Sequence, residues 1–242
     1  HSHLMVNLLG ATPEADKQDF KTFVTDPGFL PDEIKLYPCA LVSGTQLVQK
    51  YHEGAWQPYA KDELVDVLVQ DVLATPPYVR ISRMIRDISA TDILVGNKHT
   101  NLRQMVEQEL TSKDVASHVQ EIRFREINQQ QVSAAELTLQ DFVYTTAVSD
   151  EHFLQWVTAD NKIAGFCRLS LPHWDKLTAG TCDVITDELL VQPGQAMIRE
   201  LHVYGQALSL GSEGMSAQHQ GLGQKLLAKA SSIGADEGYT RL

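Results

Sequence analysis

Hydrophobic positions in this chain follow two different rhythms, and the change falls near residue 111. Leu4 to Leu9 is a short apolar run. Thr12-Pro13 after it reads as an N-cap followed by a first helical residue, with Phe20, Phe23 and Val24 on one helix face. The next extended run is Ile34 to Val42, after which Thr45 is placed to cap a short helix carrying Leu47, Val48 and Tyr51 and stopping at Gly54. Lys61 to Leu73 opens on acids and carries Leu64, Val65, Leu68 and Val72 at helical spacing. Tyr78 to Ile81 is strand-like, and Asn101 to Leu110 is a helix with Leu102, Met105, Val106 and Leu110 in one stripe. Strands alternating with helices predict a parallel sheet, part of a barrel or of an open α/β layer, with too few units to close a barrel.

Beyond residue 111 the alternation has a period of two. Ile122 to Ile127, Leu137 to Ala147, Phe153 to Thr158, Lys162 to Leu171, Asp183 to Val191 and Ala196 to Tyr204 all read as strands, with turns at Asp160-Asn161 and Pro193-Gly194. A helix follows from Gly221 to Glu237, with Leu222, Leu226, Leu227, Ala230 and Ile233 inward and Gly238 as C-cap. This is the order of an α+β domain, and the boundary between the two domains falls near residues 111 to 120.

Length supports the division, because 242 residues exceed the usual size of a single domain. With 43% apolar and 21% charged residues the composition is that of an ordinary soluble globular protein. No stretch approaches the roughly 18 to 20 consecutive apolar residues that span a bilayer, and no signal pattern opens the chain, so the cytosol is the expected compartment. Cys39, Cys167 and Cys182 are far apart and lack Cys-x-x-Cys spacing, which argues against a disulfide framework and against a local metal or cluster motif.

A net charge of −11 repels a polyanion, so any nucleic-acid site has to be a local basic patch. Residues 79 to 103 supply one: Arg80, Arg83, Arg86, Lys98 and Arg103 stand against Asp87 and Asp92, with Asn97, His99 and Asn101 as neutral hydrogen-bonding groups. Such a patch positions RNA through its phosphates rather than reading its bases. Arg123 and Arg125, on one face of an expected strand, extend the same surface. The competing interpretation is a solvated helix face or a domain interface.

The segment with the most specific chemistry is Gln218-His219-Gln220-Gly221-Leu222-Gly223, a Gln-x-x-Gly-x-Gly loop directly before an amphipathic helix. Glycines let backbone approach a pyrophosphate, and the free amides and positive dipole end of the helix face its oxygens. A tight turn with no ligand gives the same local pattern. On the preceding strand, alternation puts Ile198, Glu200, His202 and Tyr204 on one face and Met197, Arg199, Leu201 and Val203 on the other. Glu200 and His202 then line one pocket, where either can move a proton, or else lie on a solvated or interface face.

Met197-Ile198-Arg199-Glu200-Leu201-His202-Val203-Tyr204-Gly205, with the Gln218 to Gly223 loop after it, closely resembles the acetyltransferase domain of the Elongator catalytic subunit family. Asn7-Leu8-Leu9-Gly10, Ile34-Lys35-Leu36-Tyr37-Pro38, Gly44-Thr45, Arg83-Met84-Ile85-Arg86-Asp87-Ile88 and Asn101-Leu102-Arg103 resemble the second half of that family's radical S-adenosylmethionine (SAM) domain, in the same order. The resemblance implies the C-terminal part of a radical-SAM, partial TIM-like α/β barrel over residues 1–112 and a linker over 113–130. An α+β GNAT acetyltransferase domain, incomplete at its end, follows over 131–242.

The activity implied is acetyl-CoA-dependent modification of the wobble uridine of tRNA, in which radical chemistry leaves a carboxymethyl group on carbon 5. Acetyl-CoA is expected on Leu201, His202 and Val203 and on Gln218, His219, Gln220, Gly221, Leu222, Gly223 and Gln224, with Glu200 and His202 as catalytic groups. The RNA contacts expected are Arg80, Arg83, Arg86, Lys98, His99, Arg103, Arg123 and Arg125. S-adenosylmethionine and an iron–sulfur cluster belong to the full-length family, whose cluster cysteines lie upstream of residue 1. Many members carry zinc-binding cysteines around Val119, Glu121 and Phe124, and this chain has none there, so no metal site is expected. The chain also stops before the family's paired tyrosines and last strands, which implies that by itself it binds but does not turn over. Other Elongator-type subunits or a second copy are the partners implied besides tRNA. A protein lysine acetyltransferase and a non-catalytic acyl-CoA-binding scaffold are the competing functions.

Overall fold

The computed structural model describes residues 1–86, 88–128, 132–178, 192–204 and 221–242. The chain divides into two compact units, His1–Phe124 and Arg125–Leu242.

The first unit contains β1 (Ser2–Val6), α1 (Pro13–Thr25), β2 (Glu33–Pro38), β3 (Leu41–Val42), α2 (Leu47–His52), α3 (Lys61–Ala74), β4 (Arg80–Arg83), β5 (Ile93–Val95) and α4 (Leu102–Ser112), and closes on the helical turn α5 (Ile122–Arg125). The strands β1, β2 and β4 form a parallel sheet in that order, with Leu4 beside Leu36 and Ile34 beside Ile81. Helix α1 starts where its sequence dictates. Thr12 Oγ1 accepts from the Ala15 N–H at 3.2 Å, and Pro13 follows at a position whose own N–H would have had no partner. Phe20 and Val24 on α1, Leu68 on α3 and Leu102 and Leu110 on α4 join Ile34, Leu36 and Ile81 in the core. Each fully buried side chain of this size contributes roughly 1.5–3 kcal/mol.

The exit from β1 is fixed by polar groups. Asn7, at φ +62, donates its backbone N–H to Asp16 Oδ2 (2.7 Å) and its side-chain amide to Gln57 O. It accepts from the Tyr59 N–H, its carbonyl accepts from Trp56 Nε1, and Tyr59 donates its hydroxyl to Asp16. Asp71 on α3 has no such provision. It is 1% exposed, and neither carboxylate oxygen has a hydrogen-bond partner. Burial first, and the nearby Asp16 second, push its carboxyl up to about 8.

The second unit holds an antiparallel sheet in the order β6 (Thr138–Thr145), β7 (Ser149–Val157), β8 (Ile163–Pro172) and β9 (Met197–Val203). It also holds a short helix α6 (Trp174–Thr178) and the helix α7 (Leu222–Asp236). Strand β8 is buried along its whole length. Leu226, Ala230 and Ile233 of α7 pack on Leu154, Cys167, Leu169, Leu171 and Ala196, forming a core on one face of the sheet. Gly165 lets β9 approach β8, since a Cβ there would lie 2.9 Å from the His202 carbonyl oxygen and 3.2 Å from Val203 Cα.

Several sequence expectations are corrected. Ile122 to Ile127 is not a strand; it holds the helical turn α5, followed by an isolated bridge from Glu126 to Ile163. The reason is Glu121, whose carboxylate accepts from the N–H groups of Arg123 (3.0 Å) and Phe124 (2.8 Å) and so satisfies the first amides of a turn. Thr45 does not cap α2; its hydroxyl donates to Val42 O, and Gln46 stands at the helix start without a side-chain cap. Leu227 is 37% exposed rather than inward. Strand β5 has no signal in the sequence, being too short to show a period. The expected strand Asp183 to Val191 lies outside the described residues.

Candidate functional site

Two elements meet at the candidate ligand site, β9 and the start of α7. Gly221 sits at the N-cap with φ +68, a left-handed conformation that glycine adopts without penalty, and no side chain caps the helix there. No acidic residue occupies the first turn of α7, which leaves the dipole at this helix start suited to an anion. Gly223 lies over the strand, where a Cβ would be 3.6 Å from Val203 Cγ2 and 3.8 Å from Leu201 Cδ2. Leu201 and Val203 therefore face the start of α7. Leu222 is buried and anchors the helix. Gln224 follows in the first turn, while Gln218, His219 and Gln220 lie outside the described residues.

The opposite face of β9 is polar and differs from strict alternation. The ladder between β8 and β9 shifts register so that Leu169 pairs with Ile198 while Arg168 pairs with Glu200, leaving Arg199 as the extra residue of a bulge. The bulge puts Arg199 and Glu200 on one face and turns Ile198 to the other, where it packs against the α7 core. The expected sharing of a face by Ile198 and Glu200, with Arg199 opposite, is corrected accordingly. Arg199 Nη2 donates to Glu151 Oε2 at 2.6 Å and to the Tyr144 hydroxyl at 3.3 Å. Glu151 is buried and also accepts from the hydroxyls of Ser149 and Ser170.

Glu200 accepts from Arg168 Nε at 2.8 Å and keeps 42% of its side chain exposed. Arg168 lies with its guanidinium carbon 5.1 Å from the Phe153 ring centre and 5.3 Å from that of Phe166. His202 stacks on Phe166 with a centroid separation of 5.9 Å and contacts the Tyr204 ring at 4.4 Å, and Tyr204 donates its hydroxyl to Glu126. Glu200 and His202 thus share one face of β9, and Leu201 and Val203 with the α7 start share the other.

The basic residues divide into two groups. Arg86, Lys98 and His99 line one cavity of about 220 Å³ with Met5, Pro38 and Asn97, beside the C-terminal ends of β1 and β2. Arg86 also lies over the Tyr37 ring at 5.7 Å. Arg83 is exposed at the end of β4, and Arg80 is half-buried. Arg103 is turned inward, donating to Glu107 (3.0 Å), to Ile81 O (2.9 Å) and to Glu121 (2.7 Å). Arg123 is exposed and donates to the Ser82 carbonyl. Arg125 is 2% exposed and donates to Gln155 and Asn161, so it is not on a phosphate-facing surface as expected.

Glu121 is an organising residue that the sequence pattern does not single out. It is fully buried and accepts from Ile81 N–H (2.7 Å) as well as from Arg103, Arg123 and Phe124. An acid directly before a short apolar-basic turn is the available signal.

Cys39 is half-buried and Cys167 fully buried, and burial raises both thiols, Cys167 to about 11. Cys182 lies outside the described residues. Among the described residues no group of three or more His, Cys, Asp or Glu is arranged to hold a metal ion, and no helix is long and apolar enough to cross a membrane.

Comparison with known proteins bears on this geometry. Residues 31–112 match the radical SAM C-terminal domain family. The chain is 38% identical over 98% of its length to a tRNA uridine(34) acetyltransferase of Dehalococcoides mccartyi, covering 50% of that protein. It is 30% identical over 98% of its length to human Elongator complex protein 3, covering 42% of it. The solved structure of archaeal Methanocaldococcus infernus Elp3 with an N-terminal deletion superposes with a TM-score of 0.81 at 29% identity, covering 97% of this chain and 54% of that one. The chain therefore spans about half the length of the curated relatives it matches, and the resemblance to the Elongator catalytic subunit holds along nearly all of it.

Proposed function

We propose that this chain is the part of a tRNA-modifying enzyme that joins the second half of a radical SAM domain, residues 1–112, through a linker at 113–130 to a GNAT-type acetyltransferase domain at 131–242. The reaction is acetyl-CoA-dependent modification of uridine 34, ending as a carboxymethyl group on carbon 5, and it takes place in the cytoplasm. The observation that carries this reading is similarity over 98% of the chain to a protein named tRNA uridine(34) acetyltransferase. The break between the compact units after Phe124 falls inside the linker, and the family match ends at residue 112, both in keeping with these boundaries.

The residues present suit acetyl-CoA. Glycine at φ +68, an uncapped helix start and no acid in the first turn suit a pyrophosphate on Gly221 to Gln224. Among the described residues β9 ends the sheet, so half of its backbone groups point away from β8 and can pair with an extended pantetheine arm along Leu201, His202 and Val203. Acetyl-CoA supplies an activated acetyl group when bound. Glu200 would take a proton from the water that attacks the thioester carbonyl, and His202, held against Phe166 and Tyr204, would return one to the departing sulfur, which leaves as the CoA thiol while the acyl carbon becomes the carboxylate.

The described thiols do not suit an iron–sulfur cluster. Cys39 is half-buried, Cys167 is sealed in the core under α7, and both are held protonated by burial. No step is assigned to these residues in radical chemistry. On the RNA side Arg83, Arg86, Lys98 and His99 are the phosphate contacts, with Arg80 and Arg123 beside them. Arg103 serves by holding Glu121 and with it the turn that carries Arg123. Partners are tRNA and further Elongator-type subunits.

In the complete protein, nucleoside mass spectrometry of tRNA incubated with acetyl-CoA and S-adenosylmethionine should detect a modified uridine 34. Charge reversal at Arg83 and Arg86 should lower the salt slope of tRNA binding by about one for each phosphate that is no longer neutralised. Unmodified uridine together with an unchanged slope would contradict the proposal.

A further inference from the structure

We infer that Arg168 is a positioning residue that holds the Glu200 carboxylate in place for proton transfer, an inference resting on the reading of Glu200 as the base. Strand β8 is otherwise the most apolar part of the second unit, with Ile163, Ala164, Phe166, Cys167 and Leu169 all fully buried. A cation among them is costly unless it is paired, and an apolar side chain of similar volume would serve the packing at least as well. Yet Arg168 has 3% of its side chain exposed, between the rings of Phe153 and Phe166, with Nε 2.8 Å from Glu200 Oε2. Rings on the guanidinium restrict its plane, and the plane fixes the direction of the N–H and so the carboxylate it meets.

The neighbouring pair shows what a purely structural arrangement looks like. There the acid, Glu151, is the buried partner, and two serine hydroxyls and Arg199 occupy it. In the Arg168 pair the cation is buried and the acid looks outward, 42% exposed. The bulge at Arg199 brings the two pairs side by side, Glu200 meeting Arg168 on the adjacent strand β8 and Arg199 reaching past β8 to Glu151 on β7. Only Arg168 presents its partner to a ligand. Among the described residues the charged and titratable groups on this face are Tyr144 from β6, Glu151 from β7, Arg168 from β8 and Arg199, Glu200, His202 and Tyr204 at β9, with Glu126 on the Tyr204 hydroxyl, so loss of Arg168 removes the cation paired with Glu200 while Arg199 stays on Glu151 and Tyr144.

The test is tRNA-stimulated release of CoA from acetyl-CoA by the complete protein. Arg168→Gln should lower kcat about tenfold or more and leave KM for acetyl-CoA within about twofold. Arg168→Lys should recover part of kcat, and Arg168→Gln combined with Glu200→Gln should be no slower than Glu200→Gln alone. A folded Arg168→Gln protein with the wild-type kcat, or a double variant slower than Glu200→Gln, would overturn the inference while leaving Glu200 as the base. Full activity in Glu200→Gln would remove the underlying reading instead. If Arg168→Gln does not fold, Arg168→Lys decides: an unchanged kcat overturns the inference, and a lowered kcat with an unchanged KM and an unshifted thermal transition supports it.

Discussion

The two faces of β9 are built on opposite principles. Toward α7 the strand offers Ile198, Leu201 and Val203, and the approaching helix begins on glycines, so backbone comes close and little else intervenes. On the other face it offers Arg199, Glu200 and His202, each held by a partner from another strand or an aromatic ring. On the proposed reading one face serves a main-chain anion contact and the other places side chains. A bulge of one residue separates what strict alternation would have mixed. Binding and proton transfer should therefore come apart under mutation.

Removing the base gives the largest expected effect. Glu200→Gln should lower turnover of acetyl-CoA by about 10²-fold or more while leaving its affinity unchanged. A parallel fall in affinity would break the division of labour between the faces. Gly165→Ala attacks both faces together, since the added methyl would meet the β9 backbone at His202 and Val203. We expect a loss of about 1–3 kcal/mol in urea unfolding, with binding and turnover falling in step. An unaltered midpoint would mean that β9 yields at no cost.

In the other unit, Asp71→Asn sharpens the comparison as a control that should spare both activities. Its folded carboxyl stands at about 8 against 3.8 for a free aspartate, so between those values the folded chain holds a proton that the unfolded chain has released. Stability is then full at low pH and declines as pH rises from the free value through about 8. Asn removes that decline, and the variant should outlast the parent in thermal unfolding increasingly above neutral pH. Equal pH dependence in both proteins would show that Asp71 finds a partner.

Much of this arrangement is readable from periodicity, and the exceptions share a cause. The parallel sheet of the first unit and the limits of α7 follow from apolar spacing and from Gly221 and Gly238, because those are local rules. The bulge leaves only a faint trace, the adjacent charges Arg199 and Glu200 after Met197 and Ile198, because the shift itself arises in pairing with β8. Arg125 reads as surface charge by count, yet its partners Gln155 and Asn161 lie 30 and 36 residues away. Glu121 likewise takes a role from Ile81 and Arg103, 40 and 18 positions distant, which turns an expected strand into a helical turn. Local pattern placed the start of α7, and long-range charge pairing set the opposite face of β9.

The central claim is that acetyl-CoA binds where α7 begins. Calorimetric titration of the protein with acetyl-CoA, before and after Gly221→Val, tests it most directly. Among the described residues a Cβ at Gly221 has only Gln224 Oε1 nearby, at 3.8 Å, and the substitution strains the left-handed backbone at φ +68. The parent should bind, and the variant should lose about tenfold or more in affinity, as a strain of about 1–2 kcal/mol requires, with its unfolding still cooperative. Equal affinity in the two proteins would contradict the account.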